Sequence, residues 1–357
     1  MDLSFFRGKR VFITGHTGFK GTWMCRVLLN AGAEVTGYAL EPPTNPSFFS
    51  ILNLSKDTNS ITGDIRDLDK LNAAMSSAGP EIVIHMAAQP IVRESYKNPV
   101  YTYQTNVMGT VNILEAVRLS SHVRSFVNVT TDKVYQNNEW EWGYRENDRL
   151  CGFDPYSNSK SCSELVTESY KNSFFSDKNL HPAISTARAG NVIGGGDFAA
   201  DRIIPDCVRS ALNYETIVVR NPYSTRPYQH VLEPISGYLR LAQLQYEDPI
   251  KYEGNYNFGP DDADCVTTGA ITDLFCAHWG NISWKNVSDN GPHEANFLKL
   301  DCSRSKNVLK WYPVWNISKA VSAIVEWSKC FATGGNVSAI TNKQINEFLN
   351  YGSKSNV

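Results

Sequence analysis

No stretch of this chain offers the ~18 uninterrupted apolar residues that a membrane span requires. Its opening, MDLSFFRGKRVFIT, lacks a charged-then-apolar region ending in a small-residue cleavage site, so a soluble, cytoplasmic protein is expected. An excess of one charge is missing too: 34 basic and 36 acidic residues are interspersed, for a formal net charge of −2. That excludes the footprint of a nucleic-acid or membrane-surface binder. The eight cysteines form no CxxC pair, which argues against a metal site or disulfide framework and for reduced thiols. Repeats and low-complexity segments are absent as well. Asn-x-Ser/Thr matches begin at Asn53, Asn128, Asn281, Asn286, Asn316 and Asn336, but Asn128 sits inside an apolar strand, so they read as chance.

What the chain does contain is alternation. RVFIT reads as a buried strand, GHTGFKG as a turn, and TWMCRVLLNAG as a helix stopped at Gly32, after which EVTGYAL resumes strand character. SITGDI, LDKLNAAMSSAG, EIVIHMAA, the helical run YTYQTNVMGTVNILEAVRLSS and the strand SFVNVTT continue the series. A helix then runs from Tyr156 to Phe174, and AISTARAGNVIG reads as a strand leaving the sheet. This pattern predicts an α/β fold, a doubly wound parallel sheet covered on both faces. From Gly194 the texture turns to GGGDFAADRIIPD, NPYSTRPYQH and FGPDDADC, a smaller loop-rich lobe suited to a polar ligand. The expected division is residues 1–190 for nucleotide binding and 191–350 mainly for the ligand lobe, with some segments returning to the first domain.

GHTGFKG sets Gly15, Gly18 and Gly21 between a strand and a helix, as a Rossmann-type dinucleotide turn requires. The first glycine permits the tight turn, the second lets backbone approach a pyrophosphate, and the third lets helix pack on strand. The second strand ends at Leu40 with Glu41 one step beyond, and no arginine cluster follows to hold a 2′-phosphate. NAD is therefore favoured over NADP. Asp64 and Ile65, at the end of the third strand, are candidate adenine contacts.

Tyr156 and Lys160 in YSNSK stand one helical turn apart, on one face. An ammonium beside a phenol favours the phenolate, which can take a proton from a sugar hydroxyl as hydride leaves the same carbon. The ordered set of GxxGxxG, Thr131 and YxxxK resembles the extended short-chain dehydrogenase/reductase family over nearly the whole chain. That resemblance implies Thr131 as hydrogen-bond partner of the sugar hydroxyl, Tyr156 as acid/base, and Lys160 as the group that supports Tyr156 and holds the nicotinamide ribose. It implies a cofactor site of Gly15, Thr17, Gly18, Phe19, Lys20, Gly21, Asp64, Ile65, Ala87, Ala88, Gln89, Asn106 and Thr130 together with Tyr156 and Lys160.

Within that family the nucleotide-sugar 4,6-dehydratases carry Thr-Asp-Glu at this strand end, whereas this chain has Thr131, Asp132 and Lys133. The lysine is similar to the branch that acts on CDP-glucose, as are HMAAQPIVR, WGYREND, RAGNVIGGGD and RPYQHVLEP. The resemblance implies oxidation at C4, loss of the C5 proton and the C6 hydroxyl, and hydride return to C6. Asp132 would donate to the departing oxygen and Lys133, neutral, would act at C5. It also implies a substrate site of Asn191, Arg202, Arg226 and His230, with His230 read first as structural. A 4-epimerase or reductase on the same scaffold would have no use for the Asp132/Lys133 pair, and a non-catalytic NAD sensor none for the Tyr156/Lys160 pair. A homodimer through the helices at 99–120 and 156–174 is expected.

Overall fold

In a computed structural model the chain is described for residues 2–177, 181–287 and 297–354. Seven parallel strands form the central sheet: β1 (Arg10–Thr14), β2 (Glu34–Ala39), β3 (Asn59–Thr62), β4 (Ile82–His85), β5 (Ser125–Val129), β6 (Ala183–Ala189) and β7 (Asn255–Phe258). Their order is β7-β6-β5-β4-β1-β2-β3, so the chain reverses direction between β1 and β4 and opens a crevice at the strands' carboxyl ends. Strands β4, β5 and β6 are buried along their whole length because helices cover both faces.

Two of these strands differ from expectation. β3 stops at Thr62, before Asp64 and Ile65. β6 does not leave the sheet: it pairs with β5 on one side and with β7 on the other.

Helix α1 (Phe19–Asn30) starts directly at the glycine turn, and α2 (Leu68–Ala78) is capped by Asp67 and ended by Gly79 at φ +50°. A third segment begins as α3 (Pro99–Tyr103), loosens into a π-helical turn over Gln104–Met108 and resumes as α4 (Gly109–Arg118). It lies against α5 (Pro155–Phe174). The C-terminal lobe contributes α6 (Ile203–Leu212), α8 (Thr268–Trp279) and α9 (Ile317–Ala332) around a separate apolar core, while α7 (Leu232–Glu247) packs on the sheet. Among the described residues no helix is long and apolar enough to cross a membrane, and all eight cysteines are free. Asn128 is fully buried and donates to Ser163 and Thr167, which bars it from glycosylation in the folded chain.

Candidate active site

The β1–α1 turn is built as its glycines dictate. Gly15 has φ +76°, and a Cβ there would meet the Ala87 backbone at 2.8 Å. A Cβ on Gly21 would lie 2.2 Å from the Gly15 carbonyl, so helix and strand could not close up. The turn leads into a cleft of about 1230 Å³, more room than one small ligand needs, bounded by the strand ends on one side and the lobe on the other. All the residues expected at the site line this cleft except Asn106, Asp132 and His230.

Asp154 caps α5 by accepting from Ser157 N, with Pro155 in the first turn. That start sets Tyr156 and Lys160 on the face turned to the end of β5. Tyr156 is 8% exposed, and burial pushes its phenol up to about 12, a hydrogen bond with Thr131 drawing it partly back. Lys160 is brought down to about 8 by burial, against the pull of Glu164, and donates to the Val129 carbonyl at 3.2 Å. Desolvation therefore outweighs the lowering of the tyrosine expected from its neighbouring ammonium.

At the strand end, Asp132 is fully buried behind the cleft wall. Its Oδ1 accepts from Thr131 Oγ1 at 2.9 Å and from Lys133 Nζ at 3.0 Å, whereas Oδ2 has no hydrogen-bond partner among the described residues. Lys133 Nζ also reaches Asn191 Oδ1 at 3.3 Å. The strand thus delivers a carboxyl and an amine, already in contact, next to the hydroxyl that faces Tyr156.

Lys20, on the first turn of α1, lies 3.5 Å from the Tyr238 hydroxyl. Burial, then repulsion from Lys160 and Arg202, lowers its amine to about 7, against the attraction of Asp132. A lysine at a helix N-terminus also opposes the helix dipole. Lys20→Met is therefore expected to raise the melting temperature, by roughly 2–4 °C at pH 7. Because the unfolded lysine titrates near 10.5 and the folded one near 7, native stability rises with pH across that window. The variant's advantage should be full below about 7 and shrink toward 10.5; an advantage independent of pH in calorimetry would contradict this account.

Two of the named residues make their contacts in the protein interior, and His230, read first as structural, is one of them. Asn106 accepts from Gln89 N at 2.8 Å and donates to Gln89 O and Ser159 Oγ, tying the loop after β4 to α5. His230 is fully buried with its ring against Trp23 and Trp315, and burial lowers it to about 3. It belongs to the core beneath the lobe, not to the cleft. Arg202 lies on the cleft paired with Asp197 at 2.9 Å, and Arg226 presents a buried guanidinium there, bonded to the Thr225 carbonyl. The far end of the cleft, formed by Val218, Arg220, Tyr223, Tyr228, Thr268 and Asn286, was not anticipated. The run NPYSTRPYQH was its one visible signal.

The family model described as GDP-mannose 4,6 dehydratase matches residues 12–324. The CDP-glucose 4,6-dehydratase of Salmonella typhimurium is 48% identical over 353 residues, 98% of each chain. The dTDP-glucose 4,6-dehydratase of Streptomyces antibioticus is 27% identical, covering 89% of this chain and 91% of its own. A solved structure of dTDP-glucose 4,6-dehydratase from Bacillus anthracis in complex with NAD superposes with a TM-score of 0.75 at 20% identity, covering 90% of this chain and 97% of that one. At that identity the superposition speaks to fold alone. A family match running from β1 into α9, and a relative alike along almost its whole length, make this chain a member of the GDP-mannose 4,6-dehydratase family of nucleotide-sugar dehydratases.

Proposed function

We propose that this chain converts CDP-D-glucose to CDP-4-dehydro-6-deoxy-D-glucose and water, with an internally recycled NAD, as a step of deoxysugar biosynthesis of the O-antigen type. The observation that carries the reading is the contact of buried Asp132 with Lys133, 3.0 Å apart, beside Thr131, Tyr156 and Lys160. The near-full-length relative that bears this activity's name supports the cytidine nucleotide.

NAD fits the β1–α1 turn because the glycines leave the start of α1 open to a pyrophosphate, and Lys160, on the cleft wall, would hold its ribose. When bound, it would supply the acceptor for the C4 hydride and the hydride that C6 needs. Thr131 and Tyr156 hold the C4 hydroxyl, and the Tyr156 phenolate removes its proton. The resulting ketone acidifies the C5–H bond. Lys133 Nζ takes the C5 proton while Asp132 gives a proton to the C6 oxygen, which leaves as water. Lys133 would then return its proton to C5, which together with the hydride supplied to C6 would leave no net redox change.

These roles need Asp132 protonated and Lys133 neutral. One proton shift along their contact converts the ion pair into that state, and sugar that excludes water favours it, because burying two charges costs more than burying two neutral groups. Asn191, Arg202 and Arg226 would grip the diphosphate, for which forked guanidinium donors are suited.

Val100, Met108 and Leu165 on α3, the π-helical turn and α5 are exposed, which supports a homodimer formed by these helices packing on their twofold copies. A single-chain mass in sedimentation equilibrium would refute it. Eight free thiols support a reducing, cytoplasmic setting.

The deciding experiment is NMR of the protein with NAD in D₂O, incubated in parallel with CDP-, dTDP-, UDP- and GDP-glucose. A 4-keto-6-deoxy product from CDP-glucose alone, deuterated at C5, is expected. Product from a different nucleotide would discard the cytidine assignment, and four unchanged sugars would discard the dehydration.

A further inference from the structure

The sequence singled out YxxxK and stopped there, yet the next residue on the same helical face is an acid. Glu164 is 2% exposed and its carboxylate is fully engaged. Oε1 accepts from Thr130 Oγ1 at 2.5 Å and Arg188 Nε at 2.8 Å; Oε2 accepts from Arg188 Nη2 at 2.6 Å and lies 2.9 Å from Thr186 Oγ1. Arg188, on β6, is itself held by the Tyr135 hydroxyl and the Glu146 carbonyl through Nη1.

We infer that Glu164 is a positioning residue for the dehydration: clamped by Arg188, it fixes the Thr130–Thr131 strand end against the helix that carries Tyr156 and Lys160. The inference rests on the function proposed above. Buried ion pairs contribute little to stability compared with apolar packing, so this one is poorly explained by stability alone. Its location explains it better: Glu164 stands one turn beyond Lys160 and accepts from Thr130, the residue before Thr131.

The clamp also acts through charge. The charged and titratable groups that act on Lys160 are Glu164 on its own helix, Lys20 on α1 and His85 at the end of β4, with Arg188 behind Glu164 and Tyr156 one turn earlier on the helix. His85 is neutral, brought down to about 3 by burial, and Lys20 repels. Glu164 is thus the group that holds the Lys160 proton against desolvation. Since that ammonium supports the Tyr156 phenolate, turnover should fall as pH rises through about 8.

The test compares Glu164→Gln, Glu164→Asp and Thr130→Val with the native protein, reading kcat, KM and the pH profile of dehydration. The Lys160 amine is followed separately by ¹³Cε-lysine NMR without substrate, assigned by its loss in Lys160→Arg. Glu164→Gln should lower kcat about ten- to a hundredfold through misplacement, with KM within about twofold. Its alkaline limb and the Lys160 titration should both move down by about one unit. Glu164→Asp should restore the limb and not the rate. Should Glu164→Gln fail to fold, Thr130→Val still decides: the ion pair stays, kcat should drop about tenfold and the limb should not move. Native kcat in Thr130→Val, or an unmoved Lys160 amine in a folded Glu164→Gln, would overturn the assignment. A native protein that dehydrates no nucleotide sugar, with the Lys160 amine still shifted in Glu164→Gln, would indict the proposed function and leave the clamp standing.

Discussion

Replacing Tyr156 with phenylalanine is expected to lower turnover by about 10³-fold, the scale of a lost acid/base group in the transition state. The ring fills the same buried volume, so the fold should survive, and only the hydroxyl that meets Thr131 is removed. Thr131 keeps its bond to Asp132 Oδ1, which leaves the strand end in place. The loss therefore falls on proton removal from the C4 hydroxyl. In a single turnover with excess enzyme, no absorbance of reduced nicotinamide should appear, and deuterium placed at C4 should stay there. Oxidation at the native rate would eliminate Tyr156 as the base. Because burial pushes the phenol up to about 12, the native enzyme relies on Lys160 and Thr131 to form the phenolate once sugar is seated. Lys160→Met should then also slow oxidation, and more weakly than Tyr156→Phe, since a proton acceptor is still present.

Features written in short-range spacing were legible from residues alone. The glycine turn is one such feature, because Gly15 and Gly21 meet atoms within the same βα unit or the adjoining strand end. Tyr156 and Lys160 are another, since helical period alone brings them together. Elements whose surroundings depend on distant partners were harder to read. β6 looked like a departing strand because its second neighbour, β7, arrives only after the lobe's first half has been threaded. His230 stands in a polar run with two arginines nearby, yet Trp23 from α1 and Trp315 ahead of α9 close around it. Asn106 faces the loop after β4 because a π-helical turn displaces it from the regular helix spiral. Glu164 was visible as the third member of a four-residue spacing, but its partner Arg188 is on another strand, and nothing local announces a buried ion pair.

The second large effect is expected at Lys133. In Lys133→Met the side chain keeps its length and loses its amine, so C4 should still be oxidised while deuterium exchange at C5 slows by about 10²- to 10⁴-fold. Reduced nicotinamide should then accumulate, since elimination no longer follows oxidation. This result alone leaves two explanations, because Met also removes the charge that faces Asp132 at 3.0 Å. Lys133→Arg separates them. A guanidinium can replace the charge and the hydrogen bond to Asp132, but it does not become neutral in a protein and so cannot take the C5 proton. If Lys133 is the base, the arginine variant should be as slow in C5 exchange as the methionine one, with both oxidising C4. If its part is to orient Asp132, the arginine variant should exchange at a rate near native. Exchange at the native rate in both variants would leave Lys133 without a chemical role at C5.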